Sequence, residues 1–270
     1  VQKFLHYLDK QQKKIDGFLS NPTPMIWDAK AKEKASKQKK KCYICKRKLR
    51  YSYERARDHC HLSGKFRGIA CLRCNLKYSS TYHMRTFVVM HNCAAYDLHF
   101  IVESLNKVKR QVSIIPRNTE KFVALTMDSF VFIDSYNFLN ESLGKLADNL
   151  RSVGPDAFKH TEKFVSDPDL RALLLRKGVF FYNYLDDMSR FAETEFPPRS
   201  EFFNDLTQSH VSKSDYAHAQ QVWDAAHCQS IGDYHDVYLR TDVLLLADIF
   251  EHFRTLGLEF YGLDSIYYLS

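Results

Sequence analysis

Cys42-Tyr43-Ile44-Cys45, then Arg57-Asp58-His59-Cys60-His61-Leu62-Ser63-Gly64-Lys65-Phe66-Arg67-Gly68, then Cys71-Leu72-Arg73-Cys74-Asn75 follow one another in this chain. The two C-x2-C hooks are separated by 25 residues. Together they can supply four thiolates in the tetrahedral array that structural zinc prefers. Cys42, Cys45, Cys71 and Cys74 are therefore the expected Zn²⁺ ligands. The gap exceeds the common ribbon spacing, so a folded insert lies between the hooks. In and just after that insert, Asp58 and Asn75 are hard oxygen donors suited to Mg²⁺, and a neighbouring His can act as general base on water. The order Asp-His, a turn, then Asn at a helix start predicts a ββα metal finger. Cys60 is a rival zinc ligand. An alternative stays open, in which the Asp and His only stabilise the finger or grip DNA without cutting it.

Working outward, the chain has 270 residues and a formal net charge of +7, unevenly spread. Residues 1–29 carry +1, residues 30–90 carry +15 and residues 91–270 carry −9. A concentrated basic block suits a polyanionic partner, because each phosphate neutralised releases condensed counterions. Taken alone, Lys37–Lys41 reads more simply as a solvated linker. Apolar residues make up 45% and aromatics 14%, enough for a folded core and too much for a disordered chain. No apolar run approaches the ~20 residues that span a bilayer, and no signal-peptide pattern opens the chain. Seven cysteines, an odd number, argue against a disulfide framework and for a reducing compartment. Because it begins with Val1, the chain is read as a fragment.

Upstream of the hooks, Phe4, Leu5, Leu8, Ile15, Phe18 and Leu19 recur at helical spacing, and Asn21-Pro22-Thr23-Pro24 ends that helix. Residues 29–41 read as a charged linker or an exposed helix. Beyond them, Phe87–Met90, Val112–Ile115, Phe122–Leu125 and Phe130–Ile133 read as strands, with a helix beginning just after Asp97. Another helix opens at 140–146 and continues to Leu150, with Asn140 as its N-cap. A long amphipathic helix is predicted over Asp233–Leu256, where Tyr238 and Asp242 share a face at i and i+4.

On its hooks and insert, the chain resembles the recombination endonuclease VII branch of the His-Me finger nucleases, with its four-cysteine zinc site. The resemblance implies that Asp58 and Asn75 hold a catalytic Mg²⁺ or Mn²⁺. It makes His59 the base, with His61 as its substitute, and sets Arg67 and the basic flank against phosphates. Strand–helix order, the Asn/Tyr/Asp cluster at 92–97 and a later Y-x3-D match a DEDDy-type 3′–5′ exonuclease. Nearly the whole chain is similar to the exonuclease region of protein-primed family B DNA polymerases of viral and Polinton/Maverick-type mobile elements. Such a finger is inserted there between the first two exonuclease motifs. The stretches that carry the resemblance include His91-Asn92, Tyr96-Asp97, Ser142 to Leu146, Lys177-Gly178-Val179-Phe180, Pro197-Pro198 and Tyr234 to Asp248.

That resemblance implies an α/β RNase H-like exonuclease domain, N-terminally incomplete, interrupted by the zinc-bound ββα module. Expected segments are a helix and basic linker over 1–41, the finger over 42–80, the exonuclease core over 85–157 and a helical continuation over 158–270. Asn92, Tyr96 and Asp97 fall on the second exonuclease motif, and Tyr238 and Asp242 on the third, with Tyr238 orienting water. Tyr96 would stack on a frayed base, and Ser142 and Leu143 would hold single-stranded DNA. Implied partners are DNA, as single-stranded 3′ ends or branches, and a terminal protein primer, in a nuclear or viral replication compartment. The departures are as specific as the matches. No D-x-E motif occurs in the chain, nor any polymerase palm signature, so negligible exonuclease and no polymerase activity is expected from it alone.

Overall fold

A computed structural model describes residues 1–38, 40–77, 85–105, 110–118, 122–205 and 207–268. The expected boundary between finger and exonuclease core, at 80–85, falls mostly outside them. The helices are α1 (Gln2–Ser20), α2 (Ala29–Lys37), α3 (Leu72–Lys77), α4 (Asp97–Leu105), α5 (Leu143–Val153), α6 (Lys159–Phe164), α7 (Pro168–Leu174), α8 (Lys213–Ala225) and α9 (Ile231–Tyr261). The strands are β1 (Arg55–His59), β2 (Phe66–Cys71), β3 (Thr86–Met90), β4 (Val112–Pro116), β5 (Phe122–Met127), β6 (Phe130–Asp134), β7 (Phe203–Asn204) and β8 (Ser209–His210). No described helix is long and apolar enough to cross a membrane. Two compact units result, Val1–Val88 with Ala95–Phe132, and Val89–Ala94 with Ile133–Ser270.

In the first unit, α1 buries Leu5 and Leu8, whereas Phe18 at the far end of the expected stripe stays exposed. Arg110 anchors α1 by pairing with Asp9 at 2.6 Å and with Asp128 of the β5–β6 turn at 3.0 Å. Residues 29–37 do form a helix, because Asp28 caps it by accepting from the Ala31 amide at 2.8 Å and its Ala/Lys/Glu content favours helix. Just past α2, the Gln38 side-chain amide accepts from the Ile69 N–H and donates to the Ile69 carbonyl, both at 2.7 Å. Gln38 thus pairs with the outer edge of β2 as a strand residue would. β1 and β2 form an antiparallel hairpin, and α3 follows directly, which is the expected ββα order. A four-stranded sheet runs in the order β3-β6-β5-β4, with β4 and β5 antiparallel. All of β6 is buried, as its unbroken apolar run Phe130-Val131-Phe132-Ile133 requires of an interior strand.

The second unit is built on α9, whose 31 residues start at a capping box between Ser230 and Asp233. Its buried face runs through Tyr234, Tyr238, Thr241, Leu245 and Ile249. Phe181, Phe202 and Ile231 pack near its start, and Leu146, Leu150 and Phe158 pack with Leu245 and Ile249. Each such side chain contributes roughly 1.5–3 kcal/mol of burial. Asp248 is buried, yet its carboxylate accepts from the amides of His160 and Thr161 and from the Thr161 hydroxyl, at 2.6, 3.0 and 2.7 Å. It closes the first turn of α6 from a neighbouring helix. The N-cap of α5 is Ser142 rather than Asn140. The Ser142 hydroxyl accepts from the Lys145 amide at 3.3 Å, and only Ser142 has the extended backbone next to Leu143 that a cap needs.

Candidate functional site

The hooks come together. One sulfur from each of Cys42, Cys45, Cys71 and Cys74 lies within 4.8 Å of the others, and among the described residues no other cluster of Cys, His, Asp or Glu ligand atoms is this tight. Cys45 and Cys71 sulfurs are 3.9 Å apart, close to the ~3.8 Å edge of a tetrahedron with Zn–S bonds of about 2.3 Å. Lys46 turns the first hook through a left-handed backbone (φ 60°), while β2 ends at Cys71 and α3 brings Cys74 one turn later. The Cys71 amide donates to the Cys42 sulfur at 3.3 Å, and the Cys74 amide to the Cys71 sulfur at 3.4 Å. Burial opposes ionisation of Cys42, but amides of Cys45, Cys71 and Ile44 outweigh it and hold the thiol at about 6. Cys74 is pushed up to about 12 by the sulfurs of Cys71 and Cys45 beside it. A nest of amides that favours thiolates, closed by one thiol kept protonated by its neighbours, is a donor set that fits a dication. Cys60 stands outside this group. Its thiol is held at about 7 by the Ser63 hydroxyl and amide and the Leu62 amide, with Arg67 adding to them.

The hairpin carries the other predicted residues. Asp58 is buried, and the Tyr43 hydroxyl donates to its Oδ2, with Arg67 Nη1 3.9 Å from the same oxygen. Asp58 faces Gly68 and His59 faces Phe66, so Arg67 is the extra residue of a β-bulge. Bulges re-aim side chains, and this one turns Arg67 onto Asp58. A Cβ on Gly68 would lie 2.9 Å from the Tyr43 ring, so only glycine lets that ring cross the strand to reach Asp58. His59 and His61 stand with ring centroids 5.0 Å apart. Asn75 sits half-buried on α3, the helix that packs on both strands of the hairpin. Nothing in the sequence marks Tyr43 as the partner of Asp58; the pairing exists only once the hook folds over the hairpin.

Residues 23–95 match the recombination endonuclease VII family. The endonuclease VII-like domain covers a little over a quarter of the chain and takes in α2, both hooks, the hairpin and α3. No curated protein and no solved structure matches the chain.

The remaining predicted residues lie outside or at the edge of that domain. Tyr96 and Asp97 are exposed at the start of α4, in the first unit. Asn92, Tyr238 and Asp242 belong to the second. Asn92 adopts a left-handed backbone (φ 57°), held by the buried carboxylate of Asp134, which accepts from the amides of Asn92 at 2.7 Å and Ala94 at 3.0 Å. Tyr238 and Asp242 do share a face, and Lys177 reaches both, donating to the Tyr238 hydroxyl at 2.8 Å and to Asp242 Oδ2 at 2.6 Å. Tyr182 also hydrogen-bonds the Tyr238 hydroxyl, and burial raises the pKa of both phenols. Gly178 makes room for this arrangement, since a Cβ there would stand 2.7 Å from Tyr238 Cδ2. The buried Oδ1 of Asp242 has no hydrogen-bond partner among the described residues. Ser142 has its hydroxyl engaged as a cap, and Leu143 packs on the α5–α9 core. Lys177 is the functional candidate that the sequence motif contained without revealing its role.

Proposed function

We propose that the endonuclease VII-like domain is a zinc-supported DNA-binding finger that cuts a phosphodiester. The observation that carries this reading is the buried Asp58 beside His59 on a hairpin closed by four clustered cysteines. Asp58 and Asn75 would hold Mg²⁺ or Mn²⁺. The Tyr43 hydroxyl and Arg67 Nη1 both meet Asp58 at Oδ2, and a carboxylate with an amide oxygen is a hard donor set that leaves such an ion most of its waters. When bound, the ion supplies positive charge to the oxygens of the scissile phosphate. His59 takes the proton of the attacking water, with His61 as its substitute, and Arg67 neutralises a phosphate oxygen. The test is nicking of supercoiled plasmid in Mg²⁺ or Mn²⁺. His59→Ala, with its zinc content shown to be retained, is expected to lose at least ~10²-fold in rate. Unchanged nicking would remove the cutting role and leave a DNA-binding module.

A second reading concerns the rest of the chain, and the Lys177–Tyr238–Asp242 cluster favours it. The exonuclease region of a protein-primed family B polymerase, with core and continuation over 85–157 and 158–270, would use Asp97 and Asp242 as carboxylates and Tyr238 to orient water. The orphaned Asp242 Oδ1 suits a cation. In such a parent enzyme the partners would be 3′ ends, held by Tyr96, Ser142 and Leu143, and a terminal protein primer, in a nuclear or viral replication compartment. Lacking D-x-E, the chain by itself is expected to release no nucleotides from a 5′-labelled oligonucleotide in Mn²⁺. Release that Asp242→Ala abolishes would show that the carboxylate set is complete without that motif.

A further inference from the structure

Between α2 and the hairpin lies a cavity of about 360 Å³, outside the Asp58 cluster. Lys40, Lys41, Arg55 and Arg57 line it together with Trp27 and Ser52, and among the described residues no carboxylate does. Strand alternation sets Arg55 and Arg57 on one face of β1 and Asp58 on the other. Among the described residues, Arg57 is held in place by an aromatic ring and not by an acidic partner. Its guanidinium carbon sits 4.3 Å over the Trp27 ring, which in turn meets Phe66 edge-on at 5.2 Å. Four cations converging on a concave site, with no carboxylate in its wall, raise the local concentration of an anion. On either side of the lining residue Ser52 in the chain, Tyr51 and Tyr53 stack nearly parallel (6°) with centroids 5.2 Å apart, and are 55% and 71% exposed. Glu54, next in the chain, turns its carboxylate to the amides of Arg50 and Tyr51 at 2.7 and 3.1 Å and does not line the cavity.

We infer that this cavity and the two tyrosines beside it form a binding site for an unpaired DNA strand, on the face of β1 opposite Asp58. The inference rests on the DNA-binding reading above and adds to it a preference for single-stranded over duplex DNA. A basic pocket takes successive phosphates, and exposed aromatic faces beside it take bases, which are available only when unpaired. A pocket of this size admits one strand's phosphates and is far too small for the body of a duplex.

The experiment is fluorescence anisotropy of the full, zinc-loaded chain with oligo-dT and with a duplex of the same length, over a salt series. Tyr51→Ser with Tyr53→Ser is expected to weaken oligo-dT binding by about tenfold or more and duplex binding by less than about twofold. Lys41→Gln with Arg55→Gln is expected to flatten the oligo-dT salt dependence by about 1.4 in log–log slope, about 0.7 for each phosphate that is no longer neutralised. Circular dichroism and zinc content report that each variant is folded. Oligo-dT affinity that survives both double variants, or equal losses on both DNAs, overturns the inference while DNA binding itself stands. A wild-type chain that binds neither DNA overturns both readings.

Discussion

A carboxylate removed from water needs donors to meet it, and Asp58 finds them in Tyr43 and Arg67. Tyr43→Phe keeps the ring across Gly68 and deletes only the hydroxyl. The expected result is a loss of about 1–3 kcal/mol from the urea unfolding free energy; an unmoved midpoint would mean Arg67 alone satisfies the carboxylate. Gly178→Ala puts a methyl group against the Tyr238 ring and is expected to cost about 1–3 kcal/mol by overpacking, read in the same way. Neither partnership was legible beforehand. Tyr43 and Asp58 are 15 residues apart, and Lys177 lies 61 and 65 residues from Tyr238 and Asp242. Residue types and local spacing identify the carboxylates, but which side chain meets them depends on tertiary contacts that no local pattern encodes.

Between residue and whole chain, α8 carries a titration that links its packing to pH. Burial and the repulsion of Arg176 lower the pKa of His218 from its ordinary 6.5, with Asp215 opposing them and Arg151 adding a smaller repulsion. Its Nε2 is buried without a partner among the described residues. Below pH 6.5 the unfolded chain takes up this proton first, so stability present above that pH is lost progressively toward acid, until the folded ring titrates too. His218→Gln is expected to flatten the fall in urea midpoint between pH 6.5 and the acid end of the series. An equal fall in the variant would assign the acid sensitivity to other groups. At this scale the sequence was most informative. The buried run of β6, the ββα order and the start of α4 follow from periodicity and turn residues alone. The cap of α5 did not, because Asn140 and Ser142 are both good capping residues and only backbone conformation chooses between them.

For the chain as a whole, a zinc ion on the four cysteines and the uneven charge would set the conditions of use. Structural zinc contributes folding free energy directly, so chelation is expected to abolish hydrogen-exchange protection in β1 and β2. Amides of α9, which rest on an apolar core, should keep theirs. Equal loss in both places would make zinc a requirement for the entire molecule. The +15 block over 30–90 is followed by a −9 stretch over 91–270, an imbalance that favours self-association at low ionic strength as well as DNA binding. A two-stranded ribbon in such a chain is also open to growth by strand addition, since a bare edge offers its N–H and C=O groups to any passing backbone. Gln38 already occupies that place on β2, with one donor and one acceptor engaged by Ile69. The Tyr43 N–H donates to the same Ile69 carbonyl at 3.1 Å, so a second chain could extend the ribbon there only by evicting both a side chain and the backbone of the first hook, and the finger is guarded against polymerising edge to edge.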